Sequence, residues 1–193
     1  RMYKLRAAVA LDLLEDWQVT VSFDDTPTAA TAATVRFADP RDSRLGFRIY
    51  SPAADSAADT DRTPYDAARI EAVVPEGPTD LEPNKALLLE NGFERLGGVD
   101  FRKGCFVGQE VTARMKYRNL GKKRLMSVTS AGAALETGHA IMAGERTAGT
   151  VLSVAGGSAL ALMRHEFSTQ ALSLHDSSAV HITADPDAPE GAS

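Results

Sequence analysis

Beyond Gly121 the sequence is divided into short apolar runs by glycines and polar turns, and this pattern most restricts the possible folds. The runs cover residues 125–128, 140–142, 149–154, 159–163 and 180–183. Several short strands joined by glycine turns are typical of a small sheet that closes on itself. The pattern therefore predicts a C-terminal β-barrel domain at residues 121–184, followed by a disordered tail at residues 185–193.

The first part of the chain differs, because its apolar residues alternate with polar ones in several short stretches. These stretches lie at residues 5–13, 17–23, 35–37 and 47–50. A period of two predicts strands that bury one face. We therefore expect strands to dominate the first fifty residues.

Helices are predicted between these strands and the barrel. Thr63 followed by Pro64 is typical of a helix start, with Thr63 as the cap and Pro64 at the first helical position. Residues 85–91 indicate one or two further helical turns, closed by Gly92. A second helix is expected at residues 111–118.

The cysteine content bears on the compartment in which the protein works. Cys105 is the single cysteine among 193 residues, so an internal disulfide is excluded and a reducing compartment is indicated. We expect the cytoplasm, or the mitochondrial matrix if the source is eukaryotic. No apolar run approaches the roughly 20 residues of a membrane span, and the first six residues lack the order of a secretory signal.

A resident metal site is not expected. Iron–sulfur clusters usually take four protein ligands, so Cys105 could supply one ligand of a transient cluster shared with a partner or a small thiol. The four histidines, at positions 139, 165, 175 and 181, have no spacing typical of a metal motif.

A basic segment interrupts an otherwise acidic chain. Between Arg102 and Arg124 lie eight Lys and Arg residues and one acid, Glu110; the segment carries +7, against −5 for the whole chain and −12 for the remainder. Such a segment can attract a polyanion or an acidic protein face, but a solvated surface is equally typical. RNA binding is least favoured, because only Phe106 and Tyr117 offer rings for stacking.

The segment around Cys105 has the composition of a reactive loop. Gly104 and Gly108 bracket the cysteine and permit backbone conformations closed to other residues. The neighbouring Lys103 favours the thiolate, which is the form that acts as a nucleophile or binds soft metals. A lone cysteine is more often a small buried hydrophobe, but the flanking glycines and lysine favour the functional interpretation.

Residues 103–110 read Lys-Gly-Cys-Phe-Val-Gly-Gln-Glu. This segment resembles the signature Lys-Gly-Cys-Tyr-x-Gly-Gln-Glu of the YgfZ-type folate-binding proteins, in the aminomethyltransferase (glycine-cleavage T-protein) superfamily. Phe106 replaces the tyrosine, which removes a hydroxyl. Supporting stretches occur in the same order at residues 3–6, 39–41, 45–48, 69–72, 90–91 and 98–101, although Leu88 stands where the family often has proline.

The resemblance covers most of the chain to about Ile182 and implies an α+β fold. Residues 1–120 would form a partial aminomethyltransferase-like folate-binding region, and the small C-terminal β-barrel would follow. In the family, three small domains surround a central folate channel. The resemblance also implies that family members have further residues before position 3, which include the catalytic aspartate of true aminomethyltransferases.

Site residues follow from the resemblance. Cys105 would be the functional thiol, with Lys103 beside it. Glu71 of the Arg-x-Glu motif would bind the amide N–H and amino group of the pterin through two parallel hydrogen bonds, although a glutamate on a helix surface is the alternative. The other candidates for cofactor contact or loop support are Arg69, Gln109, Glu110 and Arg114.

The implied function is that of a folate-binding accessory factor for the maturation or repair of [4Fe–4S] proteins. Its cofactor would be tetrahydrofolate or a derivative. Its partners would be iron–sulfur assembly or client proteins, including tRNA-modifying radical enzymes, rather than membranes or nucleic acid. Whether the chain is an enzyme stays open; the alternative is a folate-dependent one-carbon transferase with Cys105 as nucleophile or acceptor.

Overall fold

The computed structural model describes residues 13–25, 34–53, 61–104, 108–118 and 120–188. The chain divides into two compact units, which are described separately. The first comprises Arg1–Ala38 and Gly46–Thr60, and the second comprises Asp39–Leu45 and Asp61–Ser193. Strands and helices occur together, so the predicted α+β class is confirmed.

The first unit contains a three-stranded antiparallel sheet in the order β1-β3-β2. Its strands are β1 (Trp17–Ser22), β2 (Val35–Ala38) and β3 (Phe47–Pro52). The predicted strands at residues 17–23, 35–37 and 47–50 are therefore confirmed. The stretch at residues 5–13 lies outside the described residues except for Leu13, which is not in a strand.

Aromatic contacts stabilise both faces of this sheet. Phe37 stacks on Tyr50 with ring centroids 5.6 Å apart, and the guanidinium of Arg36 lies 3.6 Å from the centroid of the Phe47 ring. Such contacts add to the stabilisation that area burial alone supplies. Each contact joins residues of β2 and β3 that are two positions away from direct register, so both contacts favour the observed strand alignment.

Helix α1 (Thr63–Glu71) begins one residue earlier than predicted. Thr63 is its first residue rather than its cap: Arg62 holds the cap position without a side-chain hydrogen bond, and the Asp61 carboxylate accepts a hydrogen bond from the Thr63 amide at 2.9 Å. Hydrogen bonds from the Thr63 side chain and backbone lower the pKa of Asp61. A side-chain acceptor two residues upstream has taken the role expected of Thr63.

The end of α1 has an unusual backbone. Val73 has a φ of 54°, in the left-handed region that a β-branched residue rarely adopts. Its carbonyl accepts a hydrogen bond from Arg95 Nη2 at 2.8 Å, and its side chain is fully buried. Tertiary contacts hold this conformation.

The polypeptide between α1 and the next helix contains hydrogen-bonded turns instead of the predicted helix at residues 85–91. The Asn91 amide donates to the Leu87 carbonyl at 3.2 Å, and Gly92 follows with a φ of 72°. Helix α2 (Glu110–Tyr117) agrees closely with the predicted helix at residues 111–118.

The six C-terminal strands form a closed barrel in the order β4-β7-β6-β5-β8-β9, which confirms the predicted barrel. They are β4 (Lys123–Ser130), β5 (Ala140–Ala143), β6 (Arg146–Ala155), β7 (Ser158–Arg164), β8 (Leu172–Ser173) and β9 (Ala179–Ala184). Closure pairs the strand edges that an open sheet would expose. The interior is apolar and includes Met126, Val128, Ile141, Val151, Ala161, Met163 and Phe167.

Helix α1 packs on the outside of the barrel. Ile70 and Val73 form one apolar cluster with Leu125 and Leu160. All four side chains are fully buried, and complete burial of such a side chain stabilises by about 1.5–3 kcal/mol. The helix and the barrel therefore share a core.

Residues 39–45 belong to the second unit because they contact α1. The buried Asp39 carboxylate accepts hydrogen bonds from Arg41, which also donates to the Tyr65 hydroxyl at 3.0 Å. Hydrogen bonding to Asp39 raises the pKa of Arg41. Leu45 is fully buried in a second apolar cluster at α1.

The C-terminal segment predicted as a disordered tail begins with defined contacts. Asp185 accepts a 2.6 Å hydrogen bond from Arg124 Nη2, and Asp187 lies 3.5 Å from Arg95 Nε. These ion pairs position the start of the segment. Residues 189–193 lie outside the described part of the chain. Within that part, no helix is long and apolar enough to cross a membrane.

The pairing of β6 with β7 leaves no room for a side chain at position 149. Gly149 lies opposite Met163, and an added Cβ would overlap Met163 Sδ and lie 2.9 Å from the Leu162 carbonyl oxygen. We expect Gly149→Ala to lower the free energy of unfolding by about 1–3 kcal/mol, because the strands must move apart. Denaturant unfolding followed by circular dichroism measures this change.

The matched control is Gly121→Ala, because an added Cβ there would meet no atom within 4 Å. Equal stability of the two variants would contradict the close approach of β6 and β7.

Candidate functional site

A cavity of about 350 Å³ lies beside the segment that the sequence singles out. Its volume is within the range of roughly 300–1,000 Å³ found for small-molecule sites. The lining mixes apolar side chains with a few polar groups. The described residues that line it are Leu88, Gly98, Val99, Asp100, Phe101, Lys103, Gly104, Gly108, Gln109, Thr112, Ala113 and Tyr117.

One wall is a short 3₁₀ turn, Phe101–Lys103, which Asp100 caps. The Asp100 carboxylate accepts a hydrogen bond from the Arg102 amide at 2.8 Å and a longer one from Arg102 Nε at 3.3 Å. The backbone hydrogen bond is the main reason that the pKa of Asp100 is lowered. A negative charge therefore stands at this wall of the cavity at neutral pH.

Another wall is formed by Gln109, which precedes α2, and by Thr112, Ala113 and Tyr117 of α2. Spacings of three, four and five residues place these side chains on one side of a helix. Met115 is the buried residue of α2, with 8% of its surface exposed. The helix thus faces the cavity along one side only.

Two ring contacts join the walls, and an ion pair ties α2 to Glu94. Lys116 Nζ donates to both carboxylate oxygens of Glu94, at 2.7 and 2.6 Å, and lies 5.4 Å from the centroid of the Phe101 ring. Phe101 and Tyr117 meet edge to face, with ring centroids 6.3 Å apart. These contacts set the distance between α2 and the 3₁₀ turn.

Lys103 and Gln109, two of the predicted site residues, are brought together. Lys103 Nζ donates to Gln109 Oε1 at 3.4 Å, across the segment that carries the cysteine. Gly104 and Gly108 have φ values of 87° and 90°, which other residues rarely adopt. Cys105, with Phe106 and Val107, lies outside the described residues.

Two further candidates, Glu110 and Arg114, lie on α2 but are not among the described residues that line the cavity. Both are exposed. Glu110 is the first residue of α2, where the helix dipole favours a carboxylate. Its position supports the helix start.

Arg69 lies in a buried ion-pair cluster. Its side chain is 4% exposed and donates from Nε to Asp66 and from Nη1 to Asp80, both at 2.6 Å. Burial opposes the charge of the guanidinium, but Asp66 and Asp80 outweigh it and raise the pKa of Arg69. These contacts give Arg69 a role in holding α1 to the following turn.

Glu71, the predicted pterin ligand, is the exposed last residue of α1. Its carbonyl oxygen accepts a hydrogen bond from Arg44 Nη1 at 3.2 Å. Glu71 is not among the residues that line the cavity. The cavity therefore borders the segment around Cys105 but not the Glu71 carboxylate.

Sequence reasoning missed several residues of the cavity, including Phe101, Thr112 and Tyr117. The sequence signal that could have revealed them is the spacing of Gln109, Thr112 and Ala113, which places their side chains on one side of a helix. Residues 90–91 contribute only to the family resemblance in the sequence; the structure adds that Glu90 Oε1 accepts hydrogen bonds from the amides of Lys122 and Lys123, both at 3.3 Å, at the start of β4. No group of three or more His, Cys, Asp or Glu residues in the described ranges could hold a metal ion.

Comparisons with known proteins agree with this architecture. Residues 122–190, which contain the barrel, match the family described as the CAF17 C-terminal beta-barrel domain. The chain is 35% identical over 202 residues to the mitochondrial iron-sulfur cluster assembly factor IBA57 homolog of Pyricularia oryzae, over 88% of this chain and 52% of the relative. The barrel therefore matches the CAF17 C-terminal domain, and most of the chain is similar to proteins named IBA57.

Other relatives of the same printed name show a similar match. The mitochondrial iron-sulfur cluster assembly factor IBA57 of Mus musculus is 32% identical over 185 residues, which cover 86% of this chain and 52% of the mouse protein. The Homo sapiens protein of the same name is 33% identical over 141 residues, covering 66% and 40%. This chain spans about half the length of the curated relatives it matches.

A solved structure shows the fold of the chain. The aminomethyltransferase T of the glycine cleavage system from Bartonella henselae superposes with a TM-score of 0.56 at 15% identity. The match covers 90% of this chain and 50% of that one. The aminomethyltransferase-like fold expected from the sequence is confirmed.

The Arg69 cluster makes a stability prediction. In Asp80→Ala the Arg69 guanidinium loses a buried partner, and loss of one partner of a buried ion pair costs about 3–5 kcal/mol. We expect a correspondingly large drop in the free energy of unfolding, measured by denaturant titration. Glu82→Ala is the control, because it removes an exposed ion pair with Lys85 and should change stability by less than about 1 kcal/mol.

If Asp80→Ala proves as stable as Glu82→Ala, the carboxylate is not what stabilises the buried guanidinium.

Proposed function

We propose that this chain is a folate-binding accessory factor of the YgfZ type that supports the maturation of iron–sulfur proteins, with Cys105 as its functional thiol. The observation that carries the proposal is its 35% identity over 202 residues to a protein named as an iron-sulfur cluster assembly factor. That match covers 88% of the chain.

The geometry supports a ligand beside the thiol segment. Gly104 and Gly108, which flank the cysteine in sequence, both line the cavity. A small molecule in the cavity would therefore contact the backbone next to the reactive residue. Binding of a ligand and chemistry at the thiol can be coupled by this proximity.

The cavity residues fit a folate in chemical terms. Phe101 and Tyr117 offer aromatic surface to a planar ring, while Gln109 and Thr112 offer an amide and a hydroxyl for its polar edge. Lys103 provides a cation at the same wall. Tetrahydrofolate, when bound, would supply a carrier for one-carbon units.

The iron–sulfur cluster would be cargo instead of a resident cofactor. Cys105 supplies one thiolate, and a complete set of four ligands requires others from a partner protein or a small thiol. The transfer partners we propose are iron–sulfur assembly and client proteins, with tRNA-modifying radical enzymes among the clients. The relatives are named as mitochondrial proteins, and we propose a comparable reducing compartment for this chain.

A folate-dependent one-carbon transferase uses the same fold. Likeness to the aminomethyltransferase at 15% identity shows the fold alone, so that activity is not proposed for this chain.

Folate binding is tested by calorimetric titration of tetrahydrofolate under reducing, anaerobic conditions. We expect Ala113→Leu to weaken affinity by about tenfold or more, because the larger side chain occupies the cavity. Val111→Leu, on the exposed side of the same helix, is the matched control. Glu71→Ala, with Glu82→Ala as its control, tests the carboxylate that the family resemblance implies.

A loss confined to Glu71→Ala would move the pterin site to the end of α1. Unchanged affinity in both test variants, or no binding by the parent chain, would reject the folate part of the proposal.

The thiol is tested in cells that lack their own factor of this family, by measuring the activity of a [4Fe–4S] enzyme. We expect Cys105→Ala and Cys105→Ser to lose most of the support that the parent chain gives, because neither side chain can supply a thiolate. Phe106→Tyr is the control within the same segment and should retain support. Full support by Cys105→Ala would exclude a thiol-centred mechanism.

A further inference from the structure

The outward side of α2 carries an unusual set of exposed side chains. Val111, Arg114 and Arg118 are spaced by three and four residues, so they share one helix face. Tyr117 borders this face, and Leu120 follows the helix, with its amide bonded to the Met115 carbonyl at 3.0 Å. We call these five residues the α2 stripe.

The apolar side chains of the α2 stripe are more exposed than side chains of these types usually are in a folded protein. Tyr117 is 77% exposed, Val111 62% and Leu120 47%. Isolated exposed apolar residues are common, but three within ten residues beside two arginines have the composition of an interface. Tyrosine and arginine are the residue types enriched where binding energy concentrates.

Helix α2 is already formed and positioned in the free chain, which favours binding at this surface. Lys116 anchors the helix to Glu94, and Thr112 and Ala113 of the inner face line the cavity. The α2 stripe therefore lies on a helix whose other residues, Met115 and Lys116, contact the rest of the second unit. A preformed surface loses less conformational entropy when a partner binds.

The positive charge of the segment that contains α2 indicates which kind of partner would bind there. The segment from Arg102 to Arg124 carries +7, and Glu110 is its single acid, while the remainder of the chain carries −12. A partner with an acidic rim around an apolar patch would complement both the arginines and Tyr117. Single-stranded nucleic acid fits less well, because Tyr117 is the single aromatic residue of the stripe.

We propose that the α2 stripe is a docking surface for an acidic protein partner, with Tyr117 as the apolar anchor and Arg114 and Arg118 as the charged contacts. This inference rests on the proposed function, since it assigns the chemistry of the partner face to an assembly or client protein. The surface adjoins the cavity through Tyr117, which belongs to both. A docked partner would thus lie next to the ligand site.

The test uses the full chain and a fluorescently labelled amphipathic peptide in which Glu pairs alternate with Leu and Phe. Fluorescence anisotropy at low and moderate salt measures its affinity. We expect the double variant Arg114→Glu/Arg118→Glu to weaken binding by about tenfold or more, because attraction becomes repulsion. Tyr117→Ser should weaken binding several-fold at both salt concentrations, because the anchor is apolar.

The matched control is Lys122→Glu/Lys123→Glu, which changes the net charge of the same basic segment equally but lies outside the stripe. It should weaken binding by less than about threefold. Equal losses in the two double variants would overturn the proposal, because binding would then follow net charge. A peptide with Lys in place of Glu should bind Arg114→Glu/Arg118→Glu better than the parent chain, and failure to do so would also overturn it.

Other occupants give distinct results. Tighter binding of phosphatidylserine vesicles or of single-stranded RNA through Arg114 and Arg118 would overturn the choice of a protein partner. A concentration-dependent dimer that Arg114→Glu/Arg118→Glu abolishes would assign the surface to a second copy of the chain, again against the proposal.

The docking proposal and the proposed function can fail separately. Cys105→Ala should bind the peptide as the parent chain does while losing support of the [4Fe–4S] enzyme. Support of the enzyme by Cys105→Ala, with intact discrimination between the double variants, would reject the function and leave the surface. Loss of that discrimination, with the cysteine still essential, would reject the surface alone.

Discussion

The packing of α1 against the barrel is the contact on which the rest of the second unit depends. Ile70 and Val73 lie in one cluster with Leu125 of β4 and Leu160 of β7, and the four side chains are fully buried. On the same helix, Arg69 is neutralised by Asp66 and Asp80. Because apolar burial and ion pairing act on adjacent residues, the helix is fixed in rotation as well as in position.

The cavity depends on a second, weaker set of contacts that involve polar groups near the surface. Asp100 caps the 3₁₀ turn, and Lys116 ties α2 to Glu94. Exposed ion pairs contribute little free energy individually, so the cavity can be locally adjustable while the α1–barrel core stays rigid. A ligand site next to a reactive segment benefits from this division, because small movements there do not unfold the domain.

Local sequence patterns were sufficient to predict the barrel and the three strands of the first unit, since alternation and glycine turns are properties of neighbouring residues. They were not sufficient for the cavity, whose lining extends from Leu88 to Tyr117 and comes together through tertiary contacts. Arg69 illustrates the limit: the Arg-x-Glu motif suggests cofactor contact, but the partner that buries this arginine is Asp80, eleven residues later. The start of α1 is a second example: Thr63 is the first helical residue instead of the cap, and the Asp61 carboxylate accepts a hydrogen bond from its amide.

The left-handed backbone conformation of Val73, just after α1, depends on contacts with the barrel strands. An isolated peptide of this sequence would rarely adopt a φ of 54° at valine, because its Cβ meets the following carbonyl. Burial beside Leu125 and Leu160 and the hydrogen bond from Arg95 compensate that strain, and the burial exists only when β4 and β7 are in place. The direction in which the chain leaves α1 toward the cavity is thus decided by strands that are synthesised later. Helix α1 and the barrel form one thermodynamic unit, although the sequence places them in separate segments.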